Sequence, residues 1–386
     1  MEIDKKLKVL PLTKSNPNTL MSLFGTTDIV PMWVADMEFE IAKPIQDTLI
    51  QRISNSGFGY EYKPESFFLA QKDWCKNKYQ IDLNREHIIY SPSIITSISV
   101  LIENLTSDND GIIIQPPVFM EFRDVIRKGK RKIIKNPLKL IDGHYEIDFE
   151  NLEEKGKSEN NKILILCNPH NPVGRAWKEE EIENIISICK KNNLILISDE
   201  IHKDIILFDN QFNSVLHYFK KWEKMIVCTS EAKTFNLCGI SDSMMFIPDE
   251  NLRNLIKPTF NKYALGRTNA LTRIALETAY KKGGLWLKEL IKTIENNVNS
   301  IEKELIDSKI NLIIPEATFQ VWLDFRSLFK DSKEMFRHIT EHSGIAINAG
   351  HWFGREGALF IRMNIATSNE KVIASIKKIK KSISET

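Results

Sequence analysis

The chain has 386 residues, and its 53 lysines and arginines almost balance its 51 aspartates and glutamates, which leaves a formal net charge of +2. This balance argues against a protein that coats nucleic acid or binds a membrane surface. With 42% hydrophobic and 27% charged residues, the composition is that of a globular protein, and it excludes disordered, collagen-like and coiled-coil chains.

The N-terminal part of the chain lacks a clear helical or strand periodicity. We expect residues 1–44 to form a segment that packs on the small domain or on a partner subunit. An apolar helical pattern follows at residues 94–105, directly after Ser93.

Short apolar runs alternate with helical patterns between about residue 85 and residue 250. The runs lie at residues 111–115, 163–167, 194–198, 225–229 and 244–247. Such continuous runs are typical of strands that are buried on both faces. Residues 178–193 separate two runs and have isoleucines at helical spacing, with three glutamates in the first turn, where the helix dipole favours acids. Repeated strand–helix–strand units predict an α/β fold with a mainly parallel sheet between helices.

The pattern changes after about residue 283. A long helical stretch at residues 285–305 leads into strand-like runs and ends in a helical pattern at residues 370–383. The runs lie at residues 311–314, 320–325, 345–348 and 359–365. We predict a large domain at residues 45–283 and a smaller α+β domain at residues 284–386.

Polar side chains follow three of the buried runs. Asn168 and Asn171 follow the first, Asp199 and His202 the second, and Lys233 stands four residues beyond the third. Parallel strands of an open sheet bind ligands beyond their carboxyl ends, so these groups are expected to share one site.

An acid that faces a lysine across a buried pocket is what a pyridoxal ring requires. Lys233 would form the Schiff base, and Asp199 would keep the ring nitrogen protonated so that the ring can accept electrons. The backbone of Ser93, Ile94 and Ile95, at a predicted helix N-terminus, would favour a phosphate group. Phe119 could stack on the ring.

Other functional classes lack support in the sequence. No dinucleotide-binding glycine motif, P-loop or zinc-protease motif is present. The five cysteines are scattered without a Cys-x-x-Cys pair, so we expect reduced, mostly buried thiols and no metal site. The N-terminal sequence lacks a hydrophobic signal region, and no apolar run approaches the ~20 residues of a membrane helix. We expect a cytoplasmic protein that binds neither membrane nor nucleic acid.

Seven segments together resemble the fold-type I pyridoxal-phosphate enzymes of the class I/II aminotransferase group. They lie at residues 31–39, 58–60, 168–174, 198–202, 230–237, 279–286 and 360–366. Within this group the chain is most similar to the branch of cystathionine β-lyases and cysteine C–S lyases. The resemblance implies pyridoxal 5′-phosphate as cofactor, a seven-stranded, mainly parallel sheet in the large domain, and a homodimer with active sites at the subunit interface.

The resemblance also implies roles for single residues. Lys233 and Asp199 would be catalytic, and Arg362 would bind the substrate α-carboxylate through its planar fork. Tyr60 would reach the phosphate group of the neighbouring subunit. The other cofactor contacts implied are Ser93, Ile94, Ile95, Phe119, Asn168, Asn171, His202 and Ser230, and the other substrate contacts are Trp33 and Ala35.

Three positions depart from the pattern of these enzymes. Phe119 stands where this branch usually has tyrosine, Ser93 where glycine is common, and Ser241 where many aminotransferases place an arginine on the phosphate. The absence of that arginine favours the lyase branch or else looser cofactor binding. For single residues, rival explanations are a helix cap at Asp199, a salt bridge at Arg362, a structural histidine at His202, turn residues at Asn168 and Asn171, core packing at Trp33 and Phe119, and an ordinary aromatic turn at Tyr60.

The sequence thus predicts a C–S β-lyase that converts cystathionine or related cysteine thioethers into pyruvate, ammonia and a thiol. An aminotransferase is the main alternative, because both reactions share every step up to the Cα carbanion. A regulatory protein that binds pyridoxal phosphate is a third alternative.

Overall fold

The computed structural model describes residues 11–55 and 57–384. Residues 1–10, Ser56 and residues 385–386 lie outside the described residues, so the predicted segment 1–44 is described only from residue 11. The helices are α1 (Pro17–Phe24), α2 (Lys43–Ser54), α3 (Glu65–Tyr79), α4 (Ile94–Leu105), α5 (Met120–Lys128), α6 (Phe149–Gly156), α7 (Glu179–Lys191), α8 (Glu250–Lys262), α9 (Ala270–Lys282), α10 (Gly284–Leu305), α11 (Ser332–Ser343) and α12 (Asn369–Ser384).

The strands form one large sheet and several smaller ones. They are β1 (Val30–Pro31), β2 (Ile88–Ser91), β3 (Gly111–Ile114), β4 (Lys132–Lys135), β5 (Lys139–Ile141), β6 (His144–Glu146), β7 (Asn161–Cys167), β8 (Ile195–Asp199), β9 (Met225–Thr229), β10 (Ser243–Phe246), β11 (Asn311–Ile313), β12 (Gln320–Asp324), β13 (Ile345–Ala346), β14 (Asn348–Ala349) and β15 (Phe360–Asn364). The large sheet has seven strands in the order β2, β10, β9, β8, β7, β3, β4.

The predicted α/β fold with a mainly parallel sheet is confirmed. Strands β4, β3, β7, β8 and β9 are parallel, whereas β10 is antiparallel to both of its neighbours. Apolar side chains cover both faces. Along β7, Ile163 and Ile165 pack into one core cluster and Leu164 and Leu166 into the other, since successive side chains of a strand point to opposite faces.

Two of the flanking helices show why these segments become helical. Helix α4 begins at a Ser93 cap whose Oγ accepts the N–H of Thr96 at 3.1 Å, and caps of this kind stabilise helix starts. Helix α7 has acids in its first turn and Lys190 and Lys191 in its last, which suits the helix dipole at both ends.

The second sheet lies in the C-terminal part of the chain. Its order is β11, β12, β15, β14, with antiparallel pairing throughout. The predicted single strand at residues 345–348 is wrong: β13 pairs with the N-terminal β1, while β14 pairs with β15. The buried Ile347 marks the change of partner.

The N-terminal segment, as far as it is described, lies against this second sheet. Met32 N–H donates to the Ala346 carbonyl at 2.8 Å, and the Asn364 side-chain amide donates to the carbonyls of Val34 and Asp36 at 2.6 and 2.5 Å. The segment is therefore fixed beside the end of β15. None of the described helices has the length and apolar character needed to cross a bilayer.

Candidate active site

The carboxyl ends of β7, β8 and β9 lie side by side. Cys167 is in register with Asp199, and Asp199 with Cys228. The backbone joins the three ends, because Asn168 N–H donates to the Asp199 carbonyl at 2.9 Å and Glu200 N–H to the Cys228 carbonyl at 2.8 Å. The predicted polar groups thus meet at one edge of the sheet.

The turn after β7 depends on a glycine at its end. Gly174 has φ +77°, and a Cβ there would come within 2.7 Å of the Cβ of Pro315. Only glycine adopts this conformation without strain and permits the close approach. The turn carries Asn168 and Asn171, both buried, so Gly174 helps to set their position.

Lys233 is half-buried in the loop that follows β9. Its Nζ donates to the Ala35 carbonyl at 2.6 Å and lies 3.6 Å from the Sγ of Cys238. Cys238 is exposed, whereas the other four cysteines are buried, and all five thiols are free. Because neither contact of Lys233 is an acid, its amine forms no ion pair with the residues that the structure describes.

Asp199 is the last residue of β8 and is only 4% exposed. Its Oδ1 accepts the N–H of Ile201 at 3.1 Å. Burial raises the pKa of Asp199 to about 7, against the opposing effects of that hydrogen bond and of the charge on Lys233. The residues after Asp199 form a turn, so the rival explanation of a helix cap is wrong.

His202 and Asn168 have buried polar atoms without a partner among the described residues. The free atoms are Nδ1 of His202 and Oδ1 of Asn168. Burial, together with the charges of Lys233 and Arg362, lowers the pKa of His202 to about 3, so the imidazole is neutral at physiological pH. The Asn168 amide donates to the Asn213 carbonyl at 2.8 Å. Buried polar atoms normally have a hydrogen-bond partner, so these two are available to a ligand.

Arg362 is a buried cation without an acidic partner among the described residues. Its guanidinium donates to Asn348 Oδ1 at 2.7 Å, to Asn171 Oδ1 at 3.1 Å and to the Trp33 carbonyl at 2.9 Å. Burial lowers the pKa of Arg362 to about 9. The rival explanation of a strand-end salt bridge is therefore wrong. Arg362 is a desolvated cation that neutral groups hold in one orientation, so it can bind an anion at the site.

Ser230 and the first turn of α4 are the parts of the chain that were predicted to bind the phosphate. Ser230 Oγ lies 2.9 Å from Ser241 Oγ and donates to the Asp242 carbonyl at 2.6 Å. Ser97, in the first turn of α4, contacts Ser243 at 3.2 Å between the two hydroxyl oxygens.

That first turn leaves N–H groups without intrahelical acceptors. Ser93 Oγ accepts the N–H of Thr96, so the N–H groups of Ile94 and Ile95 are left without an intrahelical acceptor.

Phe119 and Tyr60, the two aromatic residues predicted to contact the cofactor, lie in different surroundings. Phe119 is half-buried at the start of α5 and packs edge-to-face on Phe122, with ring centroids 5.6 Å apart. Tyr60 is 106% exposed, and within its own chain it is not brought to the site. This exposure agrees with a role in a neighbouring subunit, which stays a prediction.

Several neighbours of the site were not predicted. Asn348 holds Arg362, and the ring of Phe353 lies 4.8 Å from the guanidinium carbon. In the sequence, Asn348 is recognisable only as a polar residue within an apolar run, and Phe353 only as an aromatic residue five positions later. The groups at the site fit pyridoxal phosphate: a lysine amine, a buried acid for a cationic ring nitrogen, and hydroxyl and N–H donors for a phosphate.

Comparison with known proteins agrees with this geometry. Residues 59–379 match the family model for aminotransferases of class I and II. The cystathionine beta-lyase PatB of Bacillus subtilis is 33% identical over 389 residues, which cover 100% of both chains. Cystalysin of Treponema denticola, solved with pyridoxal 5′-phosphate, has a TM-score of 0.94 at 30% identity and covers 100% of both chains. A C–S lyase of Staphylococcus hominis, solved with the same cofactor, has a TM-score of 0.92 at 29% identity, covering 99% of this chain and 98% of its own.

Proposed function

This chain belongs to the class I and II aminotransferase family of pyridoxal-phosphate enzymes, and from that premise we propose that it is a C–S β-lyase acting on cysteine thioethers such as cystathionine. The observation that carries the proposal is the full-length similarity to PatB and to solved C–S lyases. The site supports it, because it combines the buried acid Asp199 with Arg362 and Lys233, neither of which is ion-paired to a described residue. The products are pyruvate, ammonia and a thiol.

The cofactor is pyridoxal 5′-phosphate, which when bound supplies an electron sink for negative charge at the substrate Cα. Lys233 would hold it through Nζ and would serve as the base that takes the Cα proton. Asp199 would hold the proton on the ring nitrogen. Ser230 and the N–H groups of Ile94 and Ile95 would bind the phosphate.

The remaining site residues would orient the substrate. Arg362 would bind the α-carboxylate, with Asn348 and Asn171 keeping the guanidinium plane in place. His202, neutral because it is buried, and Asn168 would contribute hydrogen bonds at the ring without adding charge. Once the Cα proton has left, a thiolate on Cβ is a good leaving group, so elimination competes with return of the proton. An amino acid with a poor leaving group would follow the aminotransferase course instead.

The direct test is product analysis with cystathionine in the absence of any keto acid. We expect pyruvate, ammonia and a free thiol to appear in equal amounts, because elimination regenerates the cofactor as the aldehyde. Coupled lactate dehydrogenase and thiol-reagent assays measure the first and third products. Turnover that strictly requires a keto acid, with no thiol released, would assign the chain to the aminotransferases.

A conservative change of Arg362 tests the carboxylate contact. Arg362→Lys keeps the charge but loses the planar fork, so kcat/KM for cystathionine should fall by roughly 100-fold, on the scale of a lost charge-assisted pair. The control is the decarboxylated amine of the substrate, for which parent and variant should be equally poor. If the parent enzyme handles the acid and the amine equally well, Arg362 does not bind a carboxylate.

We further propose a cytoplasmic homodimer with both active sites at its interface, built from an N-terminal segment (1–44), a large domain (45–283) and a small domain (284–386). Exposed aromatic side chains at Phe58, Tyr60 and Tyr62 support the interface, since large apolar groups clustered at a surface mark contact sites. Five free cysteines agree with a reducing compartment.

Hybrid dimers test whether Tyr60 serves the neighbouring subunit. Tyr60→Ala and Lys233→Ala should each be nearly inactive alone, because each damages both sites of a homodimer. Refolding the two together gives hybrids with one intact site, so about one quarter of the parental sites should return. If Tyr60 contacts the cofactor of its own chain, mixing will restore nothing.

A further inference from the structure

A buried charged cluster lies beneath the loop that carries Lys233. It consists of Lys203, Asp204 and Glu231, which are 4%, 1% and 1% exposed. Lys203 Nζ donates to Glu231 Oε1 at 3.0 Å and to Thr229 Oγ1 at 2.6 Å, and it lies 3.6 Å from Asp204 Oδ2. The proposed chemistry uses none of these groups.

The cluster ties the turn after β8 to the loop after β9 on both sides of Lys233. Glu231 precedes the lysine by two residues, and Thr234, which follows it directly, donates to Asp204 Oδ2 at 3.0 Å. Asp204 is held in turn by three donors from α3. These are Trp74 Nε1 at 3.1 Å, Lys78 Nζ at 2.8 Å and the hydroxyl of Tyr79.

Lys233 itself is held less firmly than the residues on either side of it. The neighbouring side chains of Glu231 and Thr234 are held by charged groups, whereas the amine of Lys233 contacts, within the described part of the chain, only the Ala35 carbonyl and the Cys238 thiol. Such an arrangement keeps the loop rigid and leaves the lysine free to exchange partners. Stability alone does not account for the cluster, because well-packed apolar residues of similar volume are often as stabilising as a buried ion pair.

We propose that Lys203 and Asp204 are positioning residues that act through Glu231 and Thr234 to set the distance between Lys233, on one strand end, and Asp199, on the next. The inference rests on the proposed function, because it assigns the cluster to the lysine that would hold pyridoxal phosphate. A misplacement of about 1 Å at a reacting group can cost as much as 100-fold in rate, so a rigid link between the two strand ends has a direct consequence for turnover.

The test compares three variants, as holoenzymes for turnover and without cofactor for the melting temperature and for titration with pyridoxal phosphate. Lys203→Met breaks the pair and leaves Glu231 buried without its partner, so it should lower the melting temperature. Lys203→Met/Glu231→Leu replaces the whole pair by apolar side chains of similar size and should restore the melting temperature. Arg131→Met is the matched control, because its side chain is as buried as that of Lys203, both side chains being 5% exposed, but it lies beside the edge strand β4 and away from the central strands β8 and β9.

The double variant distinguishes a positioning role of the cluster from a purely stabilising one. We expect a parental melting temperature of the cofactor-free form, a dissociation constant for pyridoxal phosphate raised roughly tenfold, and a kcat lowered roughly 10- to 100-fold with KM changed far less. Arg131→Met should leave the dissociation constant and kcat unchanged. If the folded double variant binds pyridoxal phosphate and turns over like the parent, the positioning role is refuted. Failure of the parent protein to attach pyridoxal phosphate at Lys233 would instead refute the proposed function, and this inference with it.

Discussion

Replacement of Lys233 by alanine is expected to reduce lyase turnover by about 10⁴-fold or more, since both covalent attachment of the cofactor and proton transfer at Cα would be lost. The variant should fold normally. The half-buried Lys233 side chain makes no ion pair with residues 11–55 or 57–384, so the substitution leaves no buried charge among them without its partner. The melting temperature of the cofactor-free form should therefore stay close to that of the parent.

The covalent site is located by borohydride reduction of the bound cofactor and peptide mapping. The strongest rival is Lys63, because burial lowers its pKa to about 8, which makes its amine more nucleophilic than that of an ordinary lysine. Lys63→Met is therefore the control, and it should keep both the label and the activity. A label found on Lys63, or on any lysine other than Lys233, would refute the assignment.

The strands of the large sheet that were predicted from the sequence are the ones buried on both faces. Strands β3, β7, β8 and β9 each contain an unbroken apolar run, so each could be recognised without knowledge of its neighbours. The two edge strands were missed for a physical reason. In β4, exposed lysines at both ends interrupt the pattern, and β2 is only alternately buried. The antiparallel direction of β10 could not be predicted, because an apolar run contains no information about direction.

The site was predictable where its residues follow buried strands. Asn171, Asp199 and Lys233 each stand at or just beyond a strand end, so chain order alone indicated that they converge. The carbonyls of Trp33 and Ala35 were not predictable as partners, because Arg362 and Lys233 contact them across 329 and 198 residues of sequence. A sequence motif identifies side chains, so it cannot reveal a contact that a backbone carbonyl makes.

Cys238 is exposed, whereas the other four cysteines are buried as expected for most of the thiols. Its thiol lies 3.6 Å from the Nζ of Lys233. Cys238 stands nine residues beyond the end of β9, whereas the buried Cys228 lies within that strand.

Substitution of Asp199 by asparagine should have opposite effects on turnover and on the stability of the cofactor-free protein. Turnover should fall by roughly 10³-fold or more, because an amide cannot keep a ring nitrogen protonated and the electron sink is lost. Burial raises the pKa of Asp199 from 3.8 to about 7 in the folded, cofactor-free chain, against the opposing effects of the Ile201 hydrogen bond and the Lys233 charge. The unfolded chain therefore releases this proton near pH 4, whereas the folded chain keeps it up to about pH 7.

The sign of the stability effect follows from the difference between the pKa of Asp199 in the folded chain and its pKa in the unfolded chain. The cost of the buried carboxylate is absent below pH 4, grows between pH 4 and pH 7, and is complete above pH 7. Asparagine retains the acceptor for the N–H of Ile201 and avoids this cost. Urea unfolding of the cofactor-free protein should show a gain of about 4 kcal/mol at pH 8 and less than half of that at pH 5, since one pKa unit corresponds to about 1.4 kcal/mol.

Glu200 provides the matched control. It is buried beside Asp199, and burial raises its pKa to about 7 as well, but its carboxylate accepts hydrogen bonds from Ser198, Ser214 and Val215 on the side of the protein interior. Glu200→Gln should therefore alter the pH dependence of stability in the same direction while largely preserving turnover. Turnover of Asp199→Asn within a few-fold of Glu200→Gln would contradict the electron-sink role. If turnover is lost in Asp199→Asn but not in Glu200→Gln, the carboxylate of Asp199 serves a cation that binds beside it. That role explains why the chain keeps a buried carboxylate that lowers its stability.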